Sequence, residues 1–147
     1  HTTFIRNLAY ACTNAAQHRI NILIEPLNEY DVPVYFLKTT DQAVGIIDEV
    51  GFTNLKLMFD CYHVQLMEGD LTHRLEKLLP HIGHIQFASV PDRGAPDHGE
   101  INYEHVFQVI SNLGYDCPTG AEYKPNCPTG QSLGWLRKSQ AIASNVL

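Results

Sequence analysis

The sequence predicts an α/β fold in which parallel strands alternate with helices, and two observations carry this prediction. Four short apolar segments each end in one polar residue, namely Glu25, Asp60, Gln86 and Glu122. The intervals between these residues each leave room for a loop, a helix and the next parallel strand. Because polar side chains at the carboxyl ends of successive strands are typical of the active-site face of a (β/α) barrel, we expect the four to meet at one edge of the sheet.

The first half of the chain predicts two helices and two strands. Apolar residues recur at helical spacing from Thr3 to about Arg19, and the apolar run from Ile20 to Glu25 is typical of a strand buried on both faces. The next helix spans Thr39 to Val50, because Thr39 begins a capping-box pattern and Gly51 provides a C-terminal stop. Leu55 to Asp60 is the second strand.

The second half of the sequence predicts a helix that follows the second strand, and then two more strands, each followed by a helix. A helix through Leu79 begins at Asp70, which we expect to be its N-cap, and His81 to Phe87 is the third strand. Asn102 to Leu113 is a helix, Thr119 to Tyr123 is the fourth strand, and Ser132 to about Ser144 is the last helix.

Four βα units cannot close a barrel by themselves, because the eight-stranded form takes about 250 residues. By size the 147 residues make one domain, 1–147. Parallel edges left open are a liability, so we expect the chain to be the C-terminal half of a longer barrel, strands five to eight. The start at His1 rather than at a methionine fits a trimmed chain. The alternative is that two half-barrels pair.

Composition and charge narrow the classes of partner. The net charge of −6 gives no support for binding to nucleic acid or to a membrane surface. No apolar run approaches the ~20 residues that cross a bilayer, and no signal peptide is visible. The four cysteines match neither a zinc pattern nor a C-x-x-C motif, so we expect free thiols and a cytoplasmic location; a disulfide between Cys117 and Cys127 is the less favoured alternative.

The four strand ends carry short motifs that are weak singly and more specific in this order. They are Ile24-Glu25-Pro26-Leu27-Asn28, Phe59-Asp60-Cys61-Tyr62-His63, His84-Ile85-Gln86, Pro91-Asp92-Arg93 and Ala121-Glu122-Tyr123-Lys124-Pro125. From Ile20 to about Arg137 the chain resembles the hydroxypyruvate isomerase family, within the xylose isomerase-like TIM-barrel superfamily. The resemblance implies a (β/α)8 barrel of which this chain supplies about the last four βα units.

The resemblance also implies a site for one divalent metal ion on Glu25, Asp60, Gln86 and Glu122. Three carboxylates and one amide oxygen form a hard ligand set that suits Mg²⁺ or Mn²⁺ better than zinc. Related ketose 3-epimerases carry a histidine at position 86, whereas hydroxypyruvate isomerases carry glutamine, as here.

The substrate-binding residues implied by the resemblance are His63 and Arg93. The guanidinium of Arg93 suits a substrate carboxylate, and its loop, Pro91 to Glu100, is long and polar, as active-site loops often are. Two simpler interpretations stay open: that Arg93 pairs only with acidic residues of its own loop, and that His63 is a surface or core histidine. Asp31, just past the first strand, is a further candidate for contact with substrate hydroxyls.

The implied reaction is aldose–ketose isomerisation of a small hydroxy-keto acid, hydroxypyruvate to tartronate semialdehyde, with Glu25 and Glu122 as the acid–base pair. A 2-oxo-tetronate isomerase and a ketose 3-epimerase are alternatives within the superfamily. An endonuclease IV-type enzyme fits less well, because the chain is acidic. Outside catalysis, the chain could be an inactive half-barrel or an association module, which makes a homo-oligomer possible.

Overall fold

The computed structural model describes residues 1–137, and these contain one parallel sheet in the strand order β1-β2-β3-β4. The strands are β1 (Ile22–Ile24), β2 (Leu55–Asp60), β3 (Ile82–Phe87) and β4 (Thr119–Ala121). The helices are α1 (Thr2–Ala16), α2 (Thr40–Val50), α3 (Cys61–Met67), α4 (Leu71–Leu78), α5 (Tyr103–Asn112) and α6 (Thr129–Ser132), with a 3-10 turn at Leu79–His81. The predicted α/β fold of four βα units is confirmed.

One face of the sheet is more deeply buried than the other. Along β2 the side chains of Leu55, Leu57 and Phe59 are buried in the same core as apolar residues of the helices, while Lys56 and Met58 between them are half-buried. The prediction of a first strand buried on both faces is wrong. Ile24 is buried, but Ile22 and Leu23 are half-buried, and among the described residues β1 is an edge strand of the sheet.

The ends of α2 follow from local sequence. The Thr39 side chain accepts a hydrogen bond from the Gln42 backbone N–H at 3.2 Å, and Gly51 ends the helix with a left-handed φ of 71°. The Gln42 side chain accepts from the Lys38 N–H at 3.0 Å, one residue before the usual partner in a capping box. The helix boundaries were therefore predictable from the capping signals.

Between β2 and β3 the chain forms two helices, of which only the second was predicted. Helix α3 begins directly after β2, because an oxygen of Asp60 accepts a hydrogen bond from the Tyr62 N–H at 2.9 Å and so caps the helix. Asp70 is the N-cap residue of α4, as predicted, but its side chain makes no capping hydrogen bond. Asp70 precedes α4 with a φ of 54° and hydrogen-bonds the His73 ring instead, at 2.6 Å.

In the last quarter of the chain α5 and β4 lie where they were predicted, although β4 is shorter than expected. Helix α6 was not predicted. Asn102 caps α5 by accepting a hydrogen bond from the His105 N–H at 3.2 Å. Residues 134–137 are helical, and Trp135 is buried with its ring centroid 5.7 Å from that of Phe87. The remainder of the helix predicted to reach Ser144 lies outside the described residues.

All four cysteines have free thiols. Among the described residues, none of the helices combines the length and the apolar character that crossing a bilayer requires.

Candidate active site

Parallel pairing brings the predicted strand-end residues to one edge of the sheet. Asp60 and Gln86 are register partners at the ends of β2 and β3, and Gln86 in turn pairs with Gly120 of β4. Glu25 directly follows the last residue of β1. Glu122 directly follows β4, and its N–H donates to the carbonyl oxygen of Phe87 at 3.1 Å.

Three of the predicted residues form a compact cluster of acidic and imidazole groups. One ligand atom each from Glu25, Asp60 and His63 lie within 4.8 Å of one another. The His63 Nε2 atom is 3.9 Å from Oε1 of Glu25 and 3.8 Å from Oδ2 of Asp60. Asp60 and His63 are almost fully buried, with 1% and 2% of their side chains exposed, and Glu25 is exposed by 26%. His63 is therefore buried in the core and also lies beside two of the predicted ligands.

The polar atoms that this cluster leaves without partners indicate what it can bind. Oε1 of Glu25, Oδ2 of Asp60, Nε2 of His63 and Oε1 of Gln86 are buried and accept or donate no hydrogen bond. Buried polar atoms without partners are costly and usually mark a place that a ligand or ion completes. Because three of the four are oxygens of predicted ligands, the residues fit a hard divalent cation.

Glu122, the fourth predicted ligand, forms an ion pair with Arg93. Its Oε2 atom accepts a hydrogen bond from Nη2 of Arg93 at 2.5 Å, and 53% of its side chain is exposed. Glu122 therefore lies at the mouth of the cluster, and it is not one of the three residues whose ligand atoms lie together.

Arg93 extends from its loop across the acidic cluster. Its guanidinium lies 3.9 Å from Oδ2 of Asp60 and 3.7 Å from Oδ2 of Asp31, and it stacks 5.1 Å from the ring centroid of Tyr62. The ion pairs that Arg93 makes are with acids outside its own loop, so the interpretation of a purely local role is wrong. Its backbone is left-handed, with a φ of 54°, and its carbonyl accepts from the Lys124 N–H at 2.7 Å.

Burial, and after it the closeness of other acids, raises the pKa values of two carboxyl groups in the cluster. Burial, followed by the charges of Asp60 and Glu122, raises the pKa of Glu25 to about 7, against an opposing effect of Arg93. Burial also raises the pKa of Asp60 to about 6, although the hydrogen bond from the Tyr62 N–H and the charge of Arg93 lower it. The two carboxylates would be far easier to ionise beside a cation, which is the condition that a metal site supplies.

A second layer of hydrogen bonds supports the site, and most of it was not predicted. Tyr62 donates from its hydroxyl to Oδ2 of Asp31 at 2.9 Å, and Asn28 contacts both Asp31 and His63. Asn28 and Tyr62 belong to the same strand-end motifs as Glu25 and Asp60. Their closeness in sequence to a predicted ligand is the signal that could have identified them. Asp31 was the only one of the three that the sequence marked as a candidate.

The loop that carries Arg93 is fixed by its own polar contacts. Ser89 donates a short hydrogen bond to Asp92, and the His98 ring bonds Oδ2 of Asp92 at 2.8 Å and Oδ1 of Asp97 at 3.1 Å. The hydrogen bond from His98, then that from Ser89, lowers the pKa of Asp92 to about 2. These contacts hold the loop from both sides of Arg93.

Gly120 of β4 lies beside a histidine of the neighbouring strand β3. A Cβ atom at this position would lie 2.9 Å from Nε2 of His84, so the small residue accommodates the histidine ring. His84 therefore packs against β4.

Two curated proteins of similar sequence carry the names of isomerases. The chain is 48% identical over 135 residues to the 2-oxo-tetronate isomerase of Cupriavidus necator, which covers 92% of this chain and 52% of that protein. It is 45% identical over 136 residues to the hydroxypyruvate isomerase of Escherichia coli, covering 92% of this chain and 53% of the relative. The chain thus spans about half the length of the curated relatives it matches, and the resemblance to the hydroxypyruvate isomerases is confirmed.

The fold has close counterparts among solved structures. An AP endonuclease, family 2, from Brucella melitensis superposes with a TM-score of 0.90 at 42% sequence identity, over 93% of this chain and 53% of that one. The profile of the xylose isomerase-like TIM barrel family matches residues 1–139. The chain therefore belongs to the xylose isomerase-like TIM barrel family.

Proposed function

We propose that this chain supplies the metal- and substrate-binding residues of an aldose–ketose isomerase that interconverts hydroxypyruvate and tartronate semialdehyde. The observation that carries the proposal is the convergence of unpartnered buried oxygens from Glu25, Asp60 and Gln86 beside the cation of Arg93. The name of the Escherichia coli relative, hydroxypyruvate isomerase, supports the choice of substrate.

Glu25, Asp60 and Gln86 would hold the metal through the oxygens that now lack partners, with Glu122 as the fourth ligand. A divalent cation such as Mg²⁺ or Mn²⁺ would supply polarisation of the substrate carbonyl and would lower the barrier to removing the adjacent proton. Gln86 keeps the ligand set all-oxygen, which favours these hard ions.

Glu25 and Glu122 are proposed to move the protons. In the forward direction one carboxylate removes a proton from the hydroxymethyl carbon of hydroxypyruvate, which gives an ene-diolate. The other carboxylate delivers a proton to the former carbonyl carbon, and a proton passes from the hydroxymethyl oxygen to the former carbonyl oxygen or the solvent pool, so the formula is unchanged. In the metal-free chain burial, followed by the charges of Asp60 and Glu122, raises the pKa of Glu25 to about 7, and a bound cation would lower it, so that the carboxylate is ionised and able to accept a proton at neutral pH.

Arg93 is proposed to bind the carboxylate of the substrate. The guanidinium offers a planar pair of donors that matches a carboxylate, and one of these donors now contacts Glu122 at 2.5 Å. A substrate carboxylate would compete with Glu122 for this cation. Binding of substrate would therefore release Glu122 for metal ligation and proton transfer, which links occupancy of the site to its chemistry.

A 2-oxo-tetronate is the second candidate substrate, favoured by the name of the Cupriavidus necator relative. It carries the same carboxylate and 2-oxo group, so Arg93 and the metal ligands would act in the same way. A ketose 3-epimerase is less favoured because Gln86 occupies the position of the epimerase histidine. A nuclease is disfavoured by the net charge of −6.

The test is an assay of hydroxypyruvate isomerisation with Mg²⁺, with Mn²⁺ and with EDTA. It uses this chain alone and this chain joined to the amino-terminal half of the Escherichia coli hydroxypyruvate isomerase. We expect metal-dependent turnover in the joined protein, its loss in the variants Glu25→Gln and Glu122→Gln, and its retention in the control Glu76→Gln, which changes an exposed glutamate of α4.

The outcomes separate the alternatives. Turnover of a 2-oxo-tetronate but not of hydroxypyruvate would change the substrate and keep the mechanism. Full activity of the variant Glu25→Gln would contradict the proposed proton transfer. A metal-binding but inactive protein in which two copies of this chain associate would favour the half-barrel association module.

A further inference from the structure

The side chain of Asn28 is fully buried, with 0% exposed. Both of its polar atoms form hydrogen bonds, and their partners are two residues of the site, Asp31 and His63. Its Oδ1 atom accepts from the Asp31 N–H at 2.8 Å, and its Nδ2 atom donates to Oδ2 of Asp31 at 3.1 Å. The same Nδ2 atom lies 2.7 Å from Nδ1 of His63, and the Asn28 backbone N–H donates to that Nδ1 at 3.1 Å.

These contacts fix the orientation of the amide and of the imidazole. Because the Asp31 N–H can only donate, the atom of Asn28 that faces it must be the carbonyl oxygen, so the NH₂ group faces His63. Because the Asn28 N–H can only donate, Nδ1 of His63 must hold a lone pair. In a neutral imidazole with a lone pair on Nδ1, the proton is on Nε2.

The same hydrogen bonds keep His63 neutral. A doubly protonated ring would have no lone pair on Nδ1 to accept the hydrogen bond from the Asn28 N–H. The Nε2 atom is buried and has no hydrogen-bond partner, and the nearest carboxylate oxygens, on Glu25 and Asp60, are 3.9 and 3.8 Å away. Among the described residues no acceptor therefore lies within hydrogen-bond distance of Nε2.

We infer that Asn28 is a positioning residue that holds His63 as a neutral Nε2–H donor aimed at a substrate oxygen. It follows that His63 does not ligate the metal ion, although its Nε2 atom lies within ligand distance of Glu25 and Asp60. Ligation through Nε2 would need the proton on Nδ1, where it would face two donors of Asn28. The identity of the acceptor as a substrate oxygen rests on the proposed function, whereas the tautomer rests on the hydrogen bonds alone.

In the proposed reaction the Nε2–H group of His63 would stabilise negative charge on a substrate oxygen. Negative charge develops on the carbonyl oxygen of the substrate as the adjacent proton leaves, and a preoriented N–H group stabilises that charge without reorganisation. His63 would stabilise the oxygen as a hydrogen-bond donor, beside the acids that move the proton.

The first test measures the tautomer in the unmodified chain by ¹⁵N NMR of the imidazole nitrogens at pH 7.5, with and without Mg²⁺. The variant His63→Gln identifies the signals among those of the eight histidines. We expect a protonated Nε2 and an unprotonated Nδ1 in both conditions. A proton on Nδ1, a doubly protonated ring, or an Nε2 signal that Mg²⁺ converts to an unprotonated, ligated nitrogen would overturn the inference.

The second test is the variant Asn28→Asp, in which a carboxylate oxygen replaces the NH₂ group opposite Nδ1. We expect His63 to gain a proton on Nδ1, visible in the same spectra, and kcat in the isomerase assay to fall by about 10- to 100-fold with less change in KM. The control Asn54→Asp alters an amide that bonds backbone carbonyls away from the site, at 3.0 and 3.1 Å, and should change neither.

The two readouts separate this inference from the proposed function. Unchanged His63 spectra in the variant Asn28→Asp would contradict the positioning role. Absence of isomerase activity with the expected tautomer would contradict the proposed function and leave the Asn28–His63 arrangement intact. If the variant Asn28→Asp does not fold, the measurement on the unmodified chain still decides the tautomer.

Discussion

Removing the charge of Glu25 should stabilise the metal-free chain at alkaline pH, although it should abolish activity. Burial and two nearby acids raise the pKa of this carboxyl from 4.5 to about 7. Between these values the folded state binds more protons than the unfolded state, so stability falls as the pH rises through this window. The loss is complete above pH 7 and absent below pH 4.5.

The size of this change in the free energy of unfolding follows from the difference between the pKa of Glu25 in the unfolded and in the folded chain. At about 1.4 kcal/mol for each pH unit, the ionised Glu25 costs the metal-free fold about 3 kcal/mol at pH 8. The side chain is exposed by only 26%, so solvent screening removes a minor part of this cost. The variant Glu25→Gln should therefore be more stable than the unmodified chain by up to about 3 kcal/mol at pH 8, and equally stable at pH 4.

Urea unfolding followed by circular dichroism at pH 4 and pH 8, in EDTA, measures this difference. The control Glu76→Gln changes an exposed glutamate and should show no pH-dependent effect. Addition of Mn²⁺ should reverse the order, because a ligand at 100 times its Kd stabilises the folded state by about 2.7 kcal/mol and the variant has lost a ligand oxygen. A variant Glu25→Gln that is less stable than the unmodified chain at pH 8 in EDTA, or equally stabilised at both pH values, would refute the reasoning.

Three further predictions concern the substrate cation, the metal and the loop. The variant Arg93→Lys should raise KM for the oxo-acid by about tenfold or more, through loss of the paired donors, with a smaller effect on kcat; unchanged steady-state KM would contradict the substrate role. Calorimetric titration should show tighter Mn²⁺ binding as the pH rises from 5.5 to 7.5, because Glu25 and Asp60 must lose protons whose pKa values are about 7 and 6; an affinity independent of pH would contradict the site. The variant Gly99→Ala should lower the free energy of unfolding by about 1 to 3 kcal/mol, because Gly99 has a φ of 84° and a Cβ would lie 2.3 Å from a backbone oxygen, whereas Gly130→Ala meets nothing within 4 Å; equal urea midpoints would count against it.

Parallel topology explains why the positions of the site residues were predictable. Glu25, Asp60, Gln86 and Glu122 each follow an apolar run, and parallel strands place such ends on one edge of the sheet. Asp60 also shows the limit of this reasoning. As a strand-end acid it was predictable, but the same side chain caps α3, and the sequence pattern gave no second signal for that helix.

The contacts within the site depend on side chains from different βα units, which no local pattern specifies. Arg93 reaches Glu122, Asp60 and Asp31 from a loop whose backbone is left-handed at that residue. Asn28 showed in the sequence only as the residue that follows a strand, and its role emerged from its bonds to His63. Hydrogen bonds and ion pairs between residues far apart in sequence depend on how the strands and loops pack against one another.

The central claim is that the oxygens of Glu25, Asp60 and Gln86 form the binding site of a divalent cation. Crystals of the chain grown with Mn²⁺ and measured at a wavelength with strong manganese anomalous scattering test it most directly. We predict an anomalous peak among these three oxygens, with Nε2 of His63 outside bonding distance, and loss of the peak in the variant Asp60→Asn. An empty cluster at saturating Mn²⁺, or a peak bound to other residues, would contradict the claim.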